Sequence, residues 1–207
     1  TCSRHPFPEN CPWEAGPEDH IQVDFADPGG LDEAVQEMRL RLKDQEFDVV
    51  ALVRAVIEEI EASLTGAEGL TIELIAPERP ALVSGDEDRL RQVLLNLVDN
   101  AVRYSPDGGR IEIQVELSAS GVKIAVCDEG LGIPHGEEQR IFSKFYRVDP
   151  QQSRGVRGTG LGLYICRELV RRMEGRLSVS SRGGKGSTFV VDLPDRPQPF
   201  EHRASSD

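Results

Sequence analysis

The hydrophobic period of this chain changes once, sharply, between Ala101 and Ile111. Before the change, Leu90, Val93, Leu94, Leu97, Val98 and Ala101 return at helical spacing. Pro106-Asp107-Gly108-Gly109 stops that helix. After it, Ile111, Ile113, Val115 and Leu117 alternate inward while Glu112, Gln114 and Glu116 alternate outward. The short link Ser118-Ala119-Ser120-Gly121 leads to Val122, Ile124 and Val126, which alternate likewise and predict a β-hairpin. The chain therefore holds amphipathic helices and antiparallel strands together.

Other elements follow from the same rules. Val49, Leu52, Val53, Val56, Ile57 and Ile60 predict a helix that Asp48 caps and Gly66 and Gly69 end. Thr71 to Ile75 and Ala81 to Val83 read as short strands. Asp86 caps the helix of Leu90, with Asp88 in its first turn. Residues 129 to 159 are Gly-rich and lack long periodicity, so they predict a long functional loop with a short helix near Glu137 to Ile141. Leu161 to Met173 is helical with Gly175 as its stop, and Arg176 to Ser181 and Thr188 to Leu193 are the last strands. Upstream, Pro6, Pro8, Pro12, Pro17 and Pro28 break any helix before a second apolar stripe at Leu31, Ala34, Val35, Met38 and Leu42. This divides the chain into an acidic, Pro-containing connector (residues 1–45), a folded domain (46–194) and a disordered tail (195–207).

With 207 residues, 24 Lys+Arg and 36 Asp+Glu, the chain carries a formal net charge of −12. That length suits one core-bearing domain with an appendage. The acidic total argues against a general nucleic-acid binder, which needs a basic face. No run of apolar residues is long enough to cross a membrane, and no leader-like start is visible. The first residue, Thr1, reads as the start of a fragment or a processed piece. Cys127 and Cys166 read as small buried hydrophobes, as in a reduced, intracellular protein. Cys2 and Cys11, with His5 between them, fit no standard zinc spacing.

Four constellations carry chemistry. Gln92, Asn96 and Asn100 lie at i, i+4 and i+8 beside the apolar stripe, on one helix face. Amide oxygens there suit a Mg²⁺ that keeps waters and holds phosphates; the plainer reading is a solvated face. Asp128-Glu129-Gly130-Leu131-Gly132 ends an apolar strand in a carboxylate able to accept from an exocyclic amine, followed by glycines that let a flat ligand approach. The plainer reading is a tight turn. Gly158-Thr159-Gly160-Leu161-Gly162-Leu163 runs straight into a helix, whose first amides form an anion site. It is neither a Walker A loop nor a dinucleotide fingerprint, and the near miss Gly183-Gly184-Lys185-Gly186-Ser187 reads as a hairpin turn. Finally, basic residues cluster between Phe142 and Arg182; Lys144, Arg147, Arg154 and Arg157 suit a phosphate, and the helix arginines a solvated or partner-facing surface.

Together these residues resemble the sensor histidine kinases. Asn96 to Ser105 resembles their N box, Asp128 to Gly132 their first glycine box, Phe142-Ser143-Lys144-Phe145-Tyr146-Arg147 their F box, Gly158 to Leu163 their second glycine box, and Gly186-Ser187-Thr188-Phe189 their terminal strand. The resemblance spans roughly Phe47 to Pro194, with residues 31 to 47 at most resembling the connector into that domain. It implies an α/β two-layer sandwich of the Bergerat type: a mixed, mostly antiparallel β-sheet on α-helices, with a mobile ATP lid. It also implies ATP and Mg²⁺ as ligands. On this resemblance Asn100 coordinates Mg²⁺ with Asn96 assisting, Arg103 meets phosphates and Tyr104 flanks the base. Asp128 accepts from the adenine amine, Gly130, Gly132 and Ile133 shape the pocket, and Thr188 supports Asp128 through a water. Lys144 and Arg147 lie near the γ-phosphate or steady the lid, and the backbone of Gly158, Thr159, Gly160, Leu161, Gly162 and Leu163 cradles phosphates. Asn100, Lys144 and Arg147 are thus the catalytic candidates.

The implied activity is transfer of the γ-phosphate to a histidine on a separate dimerisation domain, with a response regulator downstream. Neither nucleic acid nor direct membrane contact is expected of this piece, and its place is cytoplasmic, including as the cytoplasmic part of a membrane-anchored kinase. His5, His20, His135 and His202 do not sit in the family's acceptor motif, so the acceptor lies elsewhere. Two alternatives share the fold: an anti-sigma-type serine kinase and a non-catalytic nucleotide-sensing module.

Overall fold

The computed structural model describes Lys43 and residues 45–64, 69–118, 120–148 and 159–195. Gly158, Arg154, Arg157, Gly66, the segment holding Cys2, His5 and Cys11, the stripe of Leu31 to Leu42 and the tail from residue 196 lie outside the described residues.

Among the described residues, seven strands and three α-helices follow one another: β1 (Gln45–Asp48), α1 (Val49–Ser63), β2 (Leu70–Ile75), β3 (Leu82–Gly85), α2 (Glu87–Arg103), β4 (Gly109–Ser118), β5 (Gly121–Asp128), α3 (Gly162–Arg172), β6 (Arg176–Ser181) and β7 (Ser187–Pro194). A single 3₁₀ turn, Arg140–Phe142, interrupts the long loop after β5, slightly later than the short helix expected there. The main sheet has the order β2-β4-β5-β7-β6, with β2 parallel to β4 and every other pair antiparallel. The expected two-layer architecture with a mixed, mostly antiparallel sheet is what the chain adopts.

The core lies between the sheet and the helices. α2 buries Leu90, Val93, Leu94, Leu97, Val98 and Ala101. These meet Ile111, Ile113, Ile124 and Val126 of the hairpin, which are 1% exposed or less. Cys166 of α3 joins this core, and burial pushes its thiol up to about 12, so it behaves as an apolar residue. Cys127, on the other side of the sheet, is only half-buried. Glu112 and Gln114 also face away from the helices, as the alternation requires, yet they are buried rather than exposed. Arg110 Nη1 stands 3.2 Å from Glu112, and Gln114 donates to Glu112, which supplies the partners a buried carboxylate needs.

Two helix starts are closed by side chains. Asp48 accepts from the N–H of Val50 at 3.0 Å and of Ala81 at 2.9 Å, so one carboxylate caps α1 and anchors the approach to β3. Asp86 accepts from the N–H of Arg89 at 3.1 Å and of Lys43 at 3.0 Å, tying the incoming chain to α2. The small β1–β3 sheet completes this anchor. β1 was not expected: Phe47 is its one buried apolar residue, too little for a period-2 signal. The neighbouring strand, placed at Ala81 to Val83 from sequence, runs from Leu82 to Gly85 because it pairs with β1.

Candidate functional site

A cavity of about 370 Å³ opens where four parts of the chain meet, within the usual range for a small-ligand site. α2 supplies Asn96, Asp99 and Asn100 on one helical face, with Arg103 and Tyr104 at its end. The apolar stripe of α2 is committed to the core, so this polar face is left turned to the cavity. Asn96 and Asn100 are half-buried, and their side-chain amides make no hydrogen bond among the described residues. Gln92, one turn earlier, is not in the wall; it accepts from Arg89 Nη1 at 3.1 Å, so the plainer reading holds for it.

The second part is the end of β5. Asp128 is 7% exposed, and its Oδ1 accepts from the N–H of Gly130 at 2.9 Å. Burial pushes its pKa up to about 6, against the opposing pull of the Gly130 and Ser187 N–H groups. Leu131, Gly132 and Ile133 continue the wall. Gly132 has φ +65, and a Cβ there would stand 2.2 Å from the Arg182 carbonyl, so only glycine fits this bend. Gly130 is packed behind the wall rather than in it, against the Tyr104 carbonyl.

The third part is the start of α3. Thr159, Gly160, Gly162 and Leu163 line the cavity, while Leu161 precedes the helix outside the wall. Unlike α1 and α2, this helix has no side-chain cap. Its first amides and the positive end of its dipole are available to an anion. A Cβ on Gly162 would come 2.5 Å from Asn96 Oδ1, so glycine is what lets the helix start lie against the α2 amides.

The fourth part follows the 3₁₀ turn. Ile141, Tyr146, Arg147 and Val148 line the cavity. Lys144 does not; its Nζ stands 4.9 Å from the centre of the Tyr164 ring on α3, a cation–π contact. Arg103 Nε pairs with Asp99 at 2.7 Å along α2.

Thr188, which the resemblance implies supports Asp128 through a water, pairs in register with Cys127 and stands on the face away from the helices. Ser187 is the strand partner of Asp128, shares its face and lines the cavity with Phe189. Ser187 and Asp99 were both missed as site residues. Asp99 had a signal, since it lies between the two asparagines; Ser187 needed the β5–β7 register.

The donor set fits a magnesium nucleotide. A buried carboxylate, two unpartnered neutral amides and an open helix N-terminus converge, and the described residues hold no cluster of three His, Cys, Asp or Glu side chains able to cage a metal alone. Neutral amides suit an ion that keeps its waters and shares phosphates. Among the described residues no helix is long and apolar enough to cross a membrane.

Comparison with known proteins agrees with this geometry. Residues 85–197 match the family described as histidine kinase-, DNA gyrase B-, and HSP90-like ATPase. The sensor histidine kinase WalK of Bacillus subtilis (strain 168) is 33% identical over 171 residues, covering 79% of this chain and 28% of WalK. The chain thus spans less than a third of that relative. The nucleotide-free catalytic domain of histidine kinase ThkA superposes with a TM-score of 0.65 at 29% identity, covering 75% of this chain and 99% of that domain. ThkA in complex with response regulator protein TrrA gives a TM-score of 0.65 at 26% identity, over 80% of this chain and 46% of that one. Full-length ShkA in complex with AMPPNP gives a TM-score of 0.66 at 29% identity, over 75% of this chain and 32% of that one.

Proposed function

Because this chain belongs to the family of histidine kinase-, DNA gyrase B- and HSP90-like ATPases, we propose that it is the Mg-ATP-binding catalytic portion of a sensor histidine kinase. It presents the γ-phosphate of ATP to a histidine on a dimerisation domain elsewhere, and a response regulator acts downstream. One observation carries the reading: the amide face of α2, the buried end of β5 and the uncapped start of α3 open onto one cavity.

Asp128 accepts from the exocyclic amine of adenine, with Gly132, Ile133 and Tyr104 around the base. Asn100 and Asn96 would hold Mg²⁺, which when bound supplies charge neutralisation on the phosphates. The amides from Thr159 to Leu163 hold the phosphate chain, as an open helix end does. Arg103 and Arg147 flank the same space. Lys144, drawn to Tyr164, steadies the loop after the 3₁₀ turn against α3 rather than touching the phosphates. The protein's work in such transfer is positioning and charge stabilisation, so few groups need to react. The acceptor histidine comes from outside this chain, and the site works in the cytoplasm.

The test has two arms. Calorimetry with AMPPNP and Mg²⁺ should show binding, lost when both Asp128 and Asn100 are replaced by Ala. With labelled ATP, the chain alone should form no acid-labile phosphohistidine, whereas adding the kinase's own dimerisation domain should produce it. Absence of AMPPNP binding would remove the nucleotide; acid-stable phosphoserine on the added domain would remove the histidine.

A further inference from the structure

The turn between β6 and β7 contains Gly183-Gly184-Lys185-Gly186-Ser187, a glycine run that the proposed function does not use. This turn clasps the loop after Asp128. The Gly184 N–H donates to the Leu131 carbonyl at 2.7 Å. The Ile133 N–H donates to Ser181 Oγ at 2.7 Å, and Ser181 Oγ donates to the Gly186 carbonyl at 2.8 Å. Ser181 Oγ also lies 3.1 Å from Ser187 Oγ.

The partners available bear on where the hydroxyl protons sit. A serine hydroxyl has one proton and two lone pairs. Ser181 gives its proton to a carbonyl that can only accept, and the Ile133 N–H uses one of its lone pairs. The contact between the serines therefore runs in one direction: Ser187 donates and Ser181 accepts. With its proton held there, Ser187 Oγ presents lone pairs to the cavity, beside the carboxylate of its strand partner Asp128. The N–H groups of Gly130 and Ser187 are turned to that carboxylate. The side chains of Asp128 and Ser187 thus both face the cavity with lone pairs.

We propose that Ser181, which does not itself line the cavity, is a specificity-determining positioning residue: by holding the Ser187 proton it leaves Ser187, beside Asp128, an acceptor toward the 6-substituent of a bound purine. At that position a 6-amino group can donate to both side chains, whereas a 6-oxo group meets their lone pairs. Without Ser181 the Ser187 hydroxyl turns and donates to that carbonyl. This inference rests on reading the cavity as a nucleotide site.

The test is calorimetric binding of ADP and of inosine diphosphate, both with Mg²⁺, to the parent chain, Ser181→Ala and Ser181→Thr. The parent should prefer ADP. Ser181→Ala should lower the ADP:IDP affinity ratio by roughly 3- to 10-fold, the worth of one neutral hydrogen bond, and Ser181→Thr should restore it. A ratio unchanged in Ser181→Ala, including an equal fall in both affinities, overturns the proposal, because a merely structural serine would act on both ligands alike. Should Ser181→Ala not fold, Ser181→Cys replaces it; the weak acceptor sulfur also frees Ser187, and an unchanged ratio there counts equally against the proposal. A parent chain that binds no ADP fails differently: it overturns the nucleotide reading first.

Discussion

Asp86 and Asp128 are buried to nearly the same degree, 5% and 7% exposed, and both stand where a strand gives way to another element. Asp86 uses both oxygens on backbone N–H groups, those of Arg89 and Lys43, and so closes the start of α2. Asp128 stands in the wall of a cavity, held above the ordinary carboxylate range by burial. The helix that faces it, α3, begins without any side-chain cap. One region has its polar groups turned inward; the other sets a carboxylate, two side-chain amides and an uncapped helix start around an open cavity. Neither burial nor the count of backbone donors separates the two carboxylates; what separates them is that Asp128 faces a cavity and Asp86 does not.

The sharpest way to break this contrast is to remove each carboxylate in turn. Asp128→Ala should weaken ATP binding by roughly 10- to 150-fold, as expected for a hydrogen bond to a charged group, without lowering the melting temperature of the free chain at neutral pH. Calorimetry beside thermal unfolding checks both halves, and a fold that collapsed with unchanged affinity would reverse the assignment.

The pH dependence sharpens the point. Burial raises the Asp128 pKa from 3.8 to about 6, so the free fold favours the protonated carboxyl. That contribution, about 3 kcal/mol from the size of the shift, is complete below the unfolded value and is lost as pH rises through about 6. On the proposed function adenine binding uses the ionised form, so affinity should run the other way and weaken as pH falls through the same value. Asp128→Asn should flatten both curves and raise the melting temperature above pH ~7. Unfolding scans against pH, with and without ADP, decide this; a parent and an Asn variant with parallel curves would rule it out.

A smaller effect is expected at the closed end. Asp86→Ala should cost about 2 kcal/mol of stability, the upper range for a lost cap, while leaving nucleotide affinity unchanged; denaturant titration measures it. Smallest is Gly162→Ala. Its Cβ would press on Asn96 Oδ1, the end of a side chain that can swing away, so the fold should hold. Nucleotide affinity in Mg²⁺ should then fall by roughly 3- to 10-fold, one hydrogen bond's worth, and by less in EDTA. Equal losses in both would detach Asn96 from the metal.

Much of this was legible in the residues. The stripe from Leu90 to Ala101 and the alternation from Ile111 to Val126 appear in the structure as α2 and the β4–β5 hairpin, because each signal is longer than the element needs. The amide pair on α2 and the glycines leading into α3 were visible as spacings, and Asn96, Asn100, Gly160 and Gly162 do meet at one cavity. The spacing also included Gln92, which turned to Arg89 instead, because a helix face says which residues are aligned and not how far a ligand site extends. Lys144 carried the right charge for a phosphate, yet Tyr164, twenty residues on, drew it aside.

What the sequence determined on its own is local: which residues share a helix face or a strand face, where chains must turn, and which groups are suited to phosphate, amine and magnesium. Those follow from the 3.6- and two-residue periods and from side-chain chemistry. Only the tertiary structure decided that Ser187 rather than Thr188 accompanies Asp128, that Gln45 to Asp48 forms a strand, and that α3 starts uncapped against Asn96. Each depends on pairing between distant segments, and a shift of one residue in such a pairing exchanges the two faces of a strand without altering the local pattern at all.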